Sequence, residues 1–262
     1  MSKAIDKQLL KIEKMESKFF EKNIKRDASN NSSVSKKIEN KIPEKLRETL
    51  YKAFYKSFQV IFEKGSNYIE KTYNREDMKL EHDLNDIAIN RKPSRKYLKR
   101  MDRQGNKSKL INSSIATLEG GVLGVLGIGI PDIPLIISLI IRQLHEISLS
   151  YGYDYKNDEE RIYILKLICG ALSDGSSQIQ FNKEVDELGG QIDNNIVNNT
   201  SLEEQIKNTS NVLADHLLLG KFIQGIPIIG VVGGAVNNRI ISRIGKYGKI
   251  KYKKRYLLSK KS

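Results

Sequence analysis

The chain has 262 residues, of which 39% are hydrophobic, and it carries a formal net charge of +14. This length allows one large domain, or one domain with an arm, and the apolar content suffices for a core. The single cysteine, Cys169, excludes an internal disulfide, which is typical of a reducing compartment. The first ten residues lack the apolar core of a signal peptide, so we expect none.

The positive charge is concentrated towards the two ends of the chain. Residues 1–110 contain 28 Lys or Arg and 16 Asp or Glu, and residues 245–262 contain eight Lys or Arg and no acid. The stretch 111–244 holds nine bases and 15 acids. Basic segments around an apolar centre suit an anionic membrane surface, where each base adds about 1 kcal/mol of attraction. They would also suit nucleic acid.

Helical periodicity opens the chain. Apolar residues recur every three or four positions over 4–26, which predicts a helix that either docks on the main domain or lies on a membrane. Residues 27–40 are polar and small, and they predict a linker. Further helices are predicted over 43–65 and through 66–85.

The segment 91–109 is dense in Lys and Arg and ends just before a long apolar run. Such a segment is usually a solvated face, but bases beside a membrane-inserting stretch are also the expected cytoplasmic flank. We therefore expect basic residues here and near the carboxyl end to contact a membrane surface. They are Arg95, Lys96, Lys99, Arg100, Lys253, Lys254 and Arg255.

The run from Gly120 to Arg142 is the most informative part of the sequence. It approaches the roughly 20 residues that cross a bilayer as a helix, yet Asp132 lies near its centre between two prolines. A membrane span avoids an ionised carboxylate, and a core helix avoids so much Gly and Pro. The run is therefore either two helices joined by an elbow at 131–134 or a bent segment that serves a site. We expect an apolar helix over 133–149 and a turn at 151–154.

A second glycine-rich apolar run, 220–236, repeats the Gly-Ile-Pro of the first. Glycines three or four positions apart line one helix face and let another backbone approach closely. Strand signals are weak throughout, so the predicted fold class is all-α, a multi-helix bundle with the two glycine-rich helical segments packed together. The glycines expected at this contact are Gly120, Gly124, Gly127, Gly230 and Gly234.

Two more helices are predicted in the carboxyl-terminal half. Residues 158–172 begin with three acids, which suit the positive end of a helix dipole. Ser201 followed by Glu204 predicts a capping box that opens a helix to about Leu219. Residues 173–200 show weaker periodicity.

Several of these features, taken together, resemble the EcsC protein family. The resemblance covers residues 41–257, so the chain divides into an N-terminal amphipathic helix and linker (1–40), a helical domain (41–257) and a basic end (258–262). It implies a bacterial protein without an assigned reaction, some of whose relatives are encoded beside an ABC transporter involved in protein secretion. The residues that carry it are Gly120, Gly121, Pro131-Asp132-Ile133-Pro134, Arg142, Glu146, Tyr151-Gly152-Tyr153-Asp154, Glu160, Arg161 and the block 220–238.

Three functions follow as hypotheses. The first is a membrane-associated binding protein, peripheral at the cytoplasmic face of the cell membrane, with a membrane transporter as partner on the resemblance alone. The second is a soluble enzyme with a polar site around Asp132, Arg142, Glu146 and Asp154. The third is a nucleic-acid binder that uses the basic segments and the Tyr/Lys end. Zinc, P-loop and nucleophile-elbow motifs are missing, so no metal or cofactor is predicted.

Each residue of this polar site has a structural alternative. Asp132 either caps the helix that follows it, with Pro134 in the first turn, or pairs with a cation. Arg142 and Glu146 are four residues apart and are therefore neighbours on one helix face, where an ion pair within the bundle is the simplest interpretation. Whether the glycine-rich runs enter lipid or pack in water is left open by the sequence.

Overall fold

A computed structural model describes residues 3–30, 42–104, 132–173, 175–196, 199–224 and 234–261. Within these ranges the chain is an all-α bundle of ten α-helices without a strand, which confirms the predicted fold class. In chain order the helices are α1 (Lys3–Asn30), α2 (Glu44–Val60), α3 (Ser66–Glu70), α4 (Arg75–Arg91), α5 (Arg95–Gln104), α6 (Asp132–Ser150), α7 (Asp158–Leu172), α8 (Gly175–Asp193), α9 (Leu202–Gln224) and α10 (Gly234–Ser259), with a π-helical turn (Ile61–Gly65) between α2 and α3.

Helix α6 forms the centre of the bundle and packs against α2, α4, α5 and α10. It begins at Asp132 with Pro134 in its first turn, where proline's missing N–H leaves no hydrogen bond unmade. The window Ile133–Ser150 has a mean hydropathy of 1.3 and is long and apolar enough to cross a membrane. Because 89% of that window is buried inside the fold, a core helix accounts for its composition.

Helix α10 packs against α6 through two glycines that the sequence analysis did not select. A Cβ on Gly245 would lie 2.4 Å from the amide of Gln143, and one on Gly248 would lie 2.6 Å from Leu144. These positions therefore allow the two helices to approach closely. Gly234 begins α10, and the other glycines of the predicted contact, Gly120, Gly124, Gly127 and Gly230, lie outside the described residues.

Helix α1 docks on the main body, so the first of its two predicted alternatives is the one observed. It packs against α8 and α10, and Phe19 stacks on Tyr247 with ring centroids 5.2 Å apart. Lys251 of α10 binds both Glu16 of α1 and Asp186 of α8. The helix continues to Asn30, into the predicted linker, whose remaining residues are not described. Its buried apolar residues are Ile5, Leu9, Ile12 and Phe19.

One predicted helix was wrong, and one helix was not predicted. The helix expected through 66–85 ends at Glu70, and a new helix begins at Arg75 because Asn74 caps it, accepting from the backbone N–H of Asp77 at 3.2 Å. The basic segment after Pro93 forms α5. Its Leu98 and Met101 are buried and form one apolar face. Packing of this face holds an otherwise charged helix against the bundle.

Helix α8 lies where the sequence shows weak periodicity. Its buried hydrophobic face is narrow, with Val185 and Leu188 as its buried apolar residues. An ion pair of 2.7 Å between Lys166 and Glu184 also holds it to α7. So few apolar positions give little periodic signal, which is why the helix was not predicted.

Candidate functional site: a buried ion-pair network and an exposed basic face

Arg142 and Glu146 form a buried ion pair on α6, as their spacing predicted. Nε of Arg142 lies 2.9 Å from Oε1 of Glu146, and each side chain is 5% exposed. Among the described residues, Nη1 of Arg142 has no hydrogen-bond partner. Removing one partner of such a pair is costly because the remaining charge stays buried.

His145 lies next to this pair in the sequence and is buried between two tyrosines. Its ring stacks on Tyr155 with centroids 3.6 Å apart, and its Nδ1 is 3.4 Å from the hydroxyl of Tyr73. The Tyr73 hydroxyl donates to that of Tyr155 at 2.7 Å. Burial and the nearby charge of Arg161 lower the pKa of His145 to about 3. The imidazole is therefore neutral at pH 7.

Asp154 binds α4 rather than Arg142. Its carboxylate lies 2.8 Å from Nη2 of Arg75 and 3.4 Å from Nζ of Lys79. Partial burial opposes the carboxylate charge, but the hydrogen bonds from Arg75 and from the backbone N–H of Lys156, with the charges of Arg75 and Lys79, together outweigh it and lower the pKa of Asp154. Among the described residues proposed for an enzymatic site, Arg142 and Glu146 thus form one ion pair while Asp154 belongs to another.

Arg255 on α10 occupies a buried cage of acids and tyrosines. Its Nη1 lies 2.9 Å from Oε1 of Glu160, and its Nη2 lies 2.7 Å from Oδ1 of Asp193. The guanidinium carbon is 4.1 Å from the ring centroid of Tyr153 and 4.3 Å from that of Tyr163. This cage joins α7, α8, α10 and the turn after α6.

Of the three carboxyl-terminal bases expected to contact a membrane, Lys253 and Arg255 are buried and Lys254 is partly buried, so that expectation is wrong for them. Lys253 binds Asp102 at 2.8 Å, Lys254 binds Asp186 at 2.8 Å, and Arg255 occupies its cage. Acids on α1, α5, α7 and α8 supply the compensating charge. The tyrosines of this segment are also buried and unavailable for stacking on bases: Tyr247, Tyr252 and Tyr256.

The turn after α6 has a structural role at each position. The hydroxyl of Tyr151 donates to Asp102 at 2.7 Å, Tyr153 covers Arg255, and Asp154 binds α4. Gly152 has a φ of +86°, a conformation that favours glycine. The turn therefore ties α6 to α4, α5 and α10.

Replacing Gly152 with Ala is expected to destabilise the protein by about 2 kcal/mol, because a positive φ costs a side chain about 1–2 kcal/mol and a clash adds to it. A Cβ here would lie 2.3 Å from Nε2 of His82, whose Nδ1 is 3.3 Å from the carbonyl oxygen of Ser150. Urea unfolding followed by circular dichroism would measure the loss. Gly190→Ala is the matched control, since a Cβ there meets nothing within 4 Å. Equal losses in both variants would show that the turn does not need glycine.

Two further residues considered in the sequence, Asp132 and Cys169, show no sign of a functional role among the described contacts. Asp132 begins α6, and its side chain is not among those described. Cys169 is buried, burial raises its pKa to about 11, and its sulfur lies 3.4 Å from Oγ1 of Thr209. In the ranges that the structure describes, no three His, Cys, Asp or Glu side chains are placed to hold a metal ion.

Helix α4 presents an exposed apolar stripe next to exposed bases. Leu80, Leu84 and Ile87 are 60%, 61% and 55% exposed, and their spacing of four and three puts them on one side of the helix. A shallow groove of about 440 Å³ between α4 and α5 brings part of this stripe together with bases. We call this surface the α4–α5 face, defined by Leu80, Leu84, Ile87, Arg91, Lys92 and Lys96.

The predicted membrane-contacting bases of 91–109 belong to the same region. Arg95, Lys96, Lys99 and Arg100 all lie on α5 with exposed side chains. Within the described part of the chain they form no ion pair, in contrast to the bases of α10. The apolar stripe itself was not selected from the sequence because apolar residues at helical spacing normally face a core. The sequence signal that could have identified this stripe as a surface is its position directly before a basic segment.

The sequence pattern of the EcsC protein family matches residues 6–257. This chain belongs to the EcsC protein family. The match includes α1, which lies outside the range 41–257 expected for the resemblance. In this EcsC chain, the residues that carried the resemblance within the described ranges form ion pairs, helix starts and a turn. Their described contacts account for them as structural elements.

Two proteins of Bacillus subtilis (strain 168) are similar to this EcsC chain. Uncharacterized protein YdbA is 30% identical over 154 residues, which cover 56% of this chain and 55% of that protein. Protein EcsC is 26% identical over 165 residues, which cover 62% of this chain and 66% of that protein. The chain thus spans less than two thirds of the length of either relative. No solved structure matches the chain.

Proposed function

We propose that this EcsC family member is a peripheral membrane-binding protein that attaches to anionic lipid at the cytoplasmic face of the cell membrane. The observation that carries the proposal is the α4–α5 face, where exposed apolar side chains adjoin exposed bases that lack acidic partners among the described residues. Burying one such leucine or isoleucine fully stabilises by about 1.5–3 kcal/mol, and each base near anionic lipid adds about 1 kcal/mol.

Both contributions are needed for stable attachment. The side chains of Leu80, Leu84 and Ile87 are already partly covered by their own helix, so insertion gains less than full burial. Attachment through bases alone would be weakened by salt at physiological ionic strength, because salt screens the attraction between exposed charges. The exposed acid Asp83, three residues after Leu80, opposes contact with anionic lipid.

An accessory role beside a membrane transporter is the finer part of this proposal. It is supported by the genetic setting implied for some family relatives. Attachment through the α4–α5 face would leave α1, α7, α8 and α10, which carry the buried ion pairs, outside the lipid. Such a protein would bind rather than catalyse.

The test is sedimentation of the full chain with vesicles at low salt. Wild type is expected to sediment with phosphatidylcholine vesicles containing phosphatidylserine, and to remain in the supernatant with phosphatidylcholine alone. Leu84→Glu with Ile87→Glu is expected to lower the partition coefficient by roughly tenfold or more, because two inserted apolar groups are replaced by charges. Asp83→Asn is expected to raise it.

A matched control separates this surface from a general effect of surface charge. Ile179 on α8 is 67% exposed and lies on a different helix, so Ile179→Glu changes the same chemistry elsewhere. Its binding should equal that of wild type. The proposal fails if wild type stays in the supernatant with the anionic vesicles, or if Ile179→Glu loses as much binding as the double variant.

A further inference from the structure

A deeper groove of about 590 Å³ lies between α1, α6 and α10, where it also meets the end of α5. Four lysines line it, one from α1 and three from α10: Lys11, Lys246, Lys249 and Lys253. Asp102 is the one carboxylate among the described lining residues. The groove is therefore strongly positive.

Asp102 already has several partners. Its carboxylate accepts from Lys253 at 2.8 Å and from the hydroxyl of Tyr151 at 2.7 Å, and Lys249 donates to its backbone carbonyl. Burial, together with the neighbouring charge of Lys253, lowers the pKa of Lys249. Lys11 and Lys246 are exposed at the edge of the groove. An incoming anion would thus meet Lys11 and Lys246, which have no acidic partner among the described residues.

Part of the wall of the groove is apolar. Side chains from three helices contribute to it, namely Ile12, Met15, Ile147, Ile241 and Ile250. The isoleucines among them are at most 8% exposed. Gln143 lies in the same groove, and its Oε1 has no hydrogen-bond partner among the described residues. Because the two ends of an amide are interchangeable by a flip of the side chain, Gln143 can offer either a donor or an acceptor to a ligand.

We propose that this groove binds a single-chain anionic amphiphile, with its phosphate or carboxylate head on the lysines and its alkyl chain along the isoleucines. The volume lies within the roughly 300–1,000 Å³ typical of small-molecule sites. The charge complementarity selects an anion, and the apolar wall selects one with a chain. The groove shares no residue with the α4–α5 face, so this binding does not rest on the proposed membrane attachment.

The experiment is titration calorimetry of the full chain with monomeric probes, below their micelle-forming concentrations. Lysophosphatidic acid is expected to bind roughly tenfold or more tightly than either lysophosphatidylcholine or inorganic phosphate. Lysophosphatidylcholine has the same chain with a zwitterionic head, and inorganic phosphate has the head without the chain. Equal affinity for inorganic phosphate, or for lysophosphatidylcholine, would overturn the proposal.

Substitutions in and beside the groove test whether lysophosphatidic acid binds there. Lys11→Glu and Lys246→Glu are each expected to weaken lysophosphatidic acid binding by roughly tenfold, because each reverses a charge beside the head group. Lys14→Glu is the control for the first, since Lys14 is exposed on the same helix but does not line the groove. Ser242→Trp should abolish binding by filling the groove. An equal loss in Lys14→Glu, or unchanged binding in Ser242→Trp, would overturn the assignment.

Membrane attachment through the α4–α5 face and amphiphile binding in the groove can be disproved independently of each other. Leu84→Glu with Ile87→Glu should lose vesicle binding and keep lysophosphatidic acid binding, and Ser242→Trp should do the reverse. Circular dichroism and urea unfolding of each variant exclude loss of the fold as the cause. Loss of both activities in either folded variant would show that the groove is not an independent site.

Discussion

Replacing Arg255 with Met is expected to lower the free energy of unfolding by about 3–5 kcal/mol, the range for removing one partner of a buried ion pair. The variant leaves the carboxyl group of Glu160, whose side chain is 5% exposed, buried without its cation. Asp193 suffers less because its side chain is 26% exposed and water can replace the guanidinium. The contacts of the cation with Tyr153 and Tyr163 are lost as well. Urea unfolding followed by circular dichroism at 222 nm measures the change.

A second substitution shows whether the unpaired charge causes this loss. Glu160→Gln in the Arg255→Met background removes that charge while keeping a polar group of the same shape, so it should restore most of the stability. Arg255→Lys should fall between wild type and Arg255→Met, because an ammonium cannot make the forked contacts to two carboxylates. A double variant as unstable as the single one would contradict the explanation.

Acid is expected to destabilise the protein partly through His145. Burial lowers the pKa of this imidazole to about 3, whereas in the unfolded chain it titrates near 6.5. Below pH 6.5 the unfolded chain therefore takes up a proton that the folded chain does not, and stability falls as the pH decreases towards 3. The slope from this one group is about 1.4 kcal/mol per pH unit, or roughly 3 kcal/mol between pH 6.5 and 4.

The measurement is the free energy of unfolding of wild type and His145→Gln from pH 7.5 to 4. The variant loses the stacking on Tyr155 and should be less stable than wild type at pH 7. Its free energy of unfolding should nevertheless fall less steeply as the pH decreases, so that the curves of wild type and variant against pH converge. Parallel curves would mean that His145 takes up its proton equally in the folded and unfolded states.

The charged residues in the core set this bundle apart from a purely apolar one. Arg142, Glu146, Glu160, Lys251 and Arg255 are all buried. Pairs of this kind contribute little net stability compared with well-packed apolar groups. Arg142 and Glu146 lie on one helix and can pair in any packing. An incorrect packing would instead separate Lys251, Arg255 and Glu160 from their partners on other helices, so we expect these pairs to favour one arrangement of α1, α7, α8 and α10 over the alternatives.

The sequence by itself determined the features that depend on neighbours along the chain. The apolar helix ending near Ser150, the acid-rich start of α7 and the cap at Ser201, whose Oγ accepts from the N–H of Glu204 at 3.1 Å, all follow from local patterns. The pairing of Arg142 with Glu146 follows from their spacing on one helix. These features need no knowledge of what lies across the bundle.

The tertiary structure alone decided which faces are covered and which charges are paired. Periodicity identifies an apolar face but not its cover, so α1 is docked while the stripe of Leu80, Leu84 and Ile87 is exposed. The partners of Lys251 and Arg255 include acids 235 and 95 residues away in the chain, where no local pattern connects them. For this reason three bases of one basic segment are buried in ion pairs while those of the other are exposed, although the two segments have similar composition. The buried bases are Lys251, Lys253 and Arg255, and the exposed ones are Arg95, Lys96, Lys99 and Arg100.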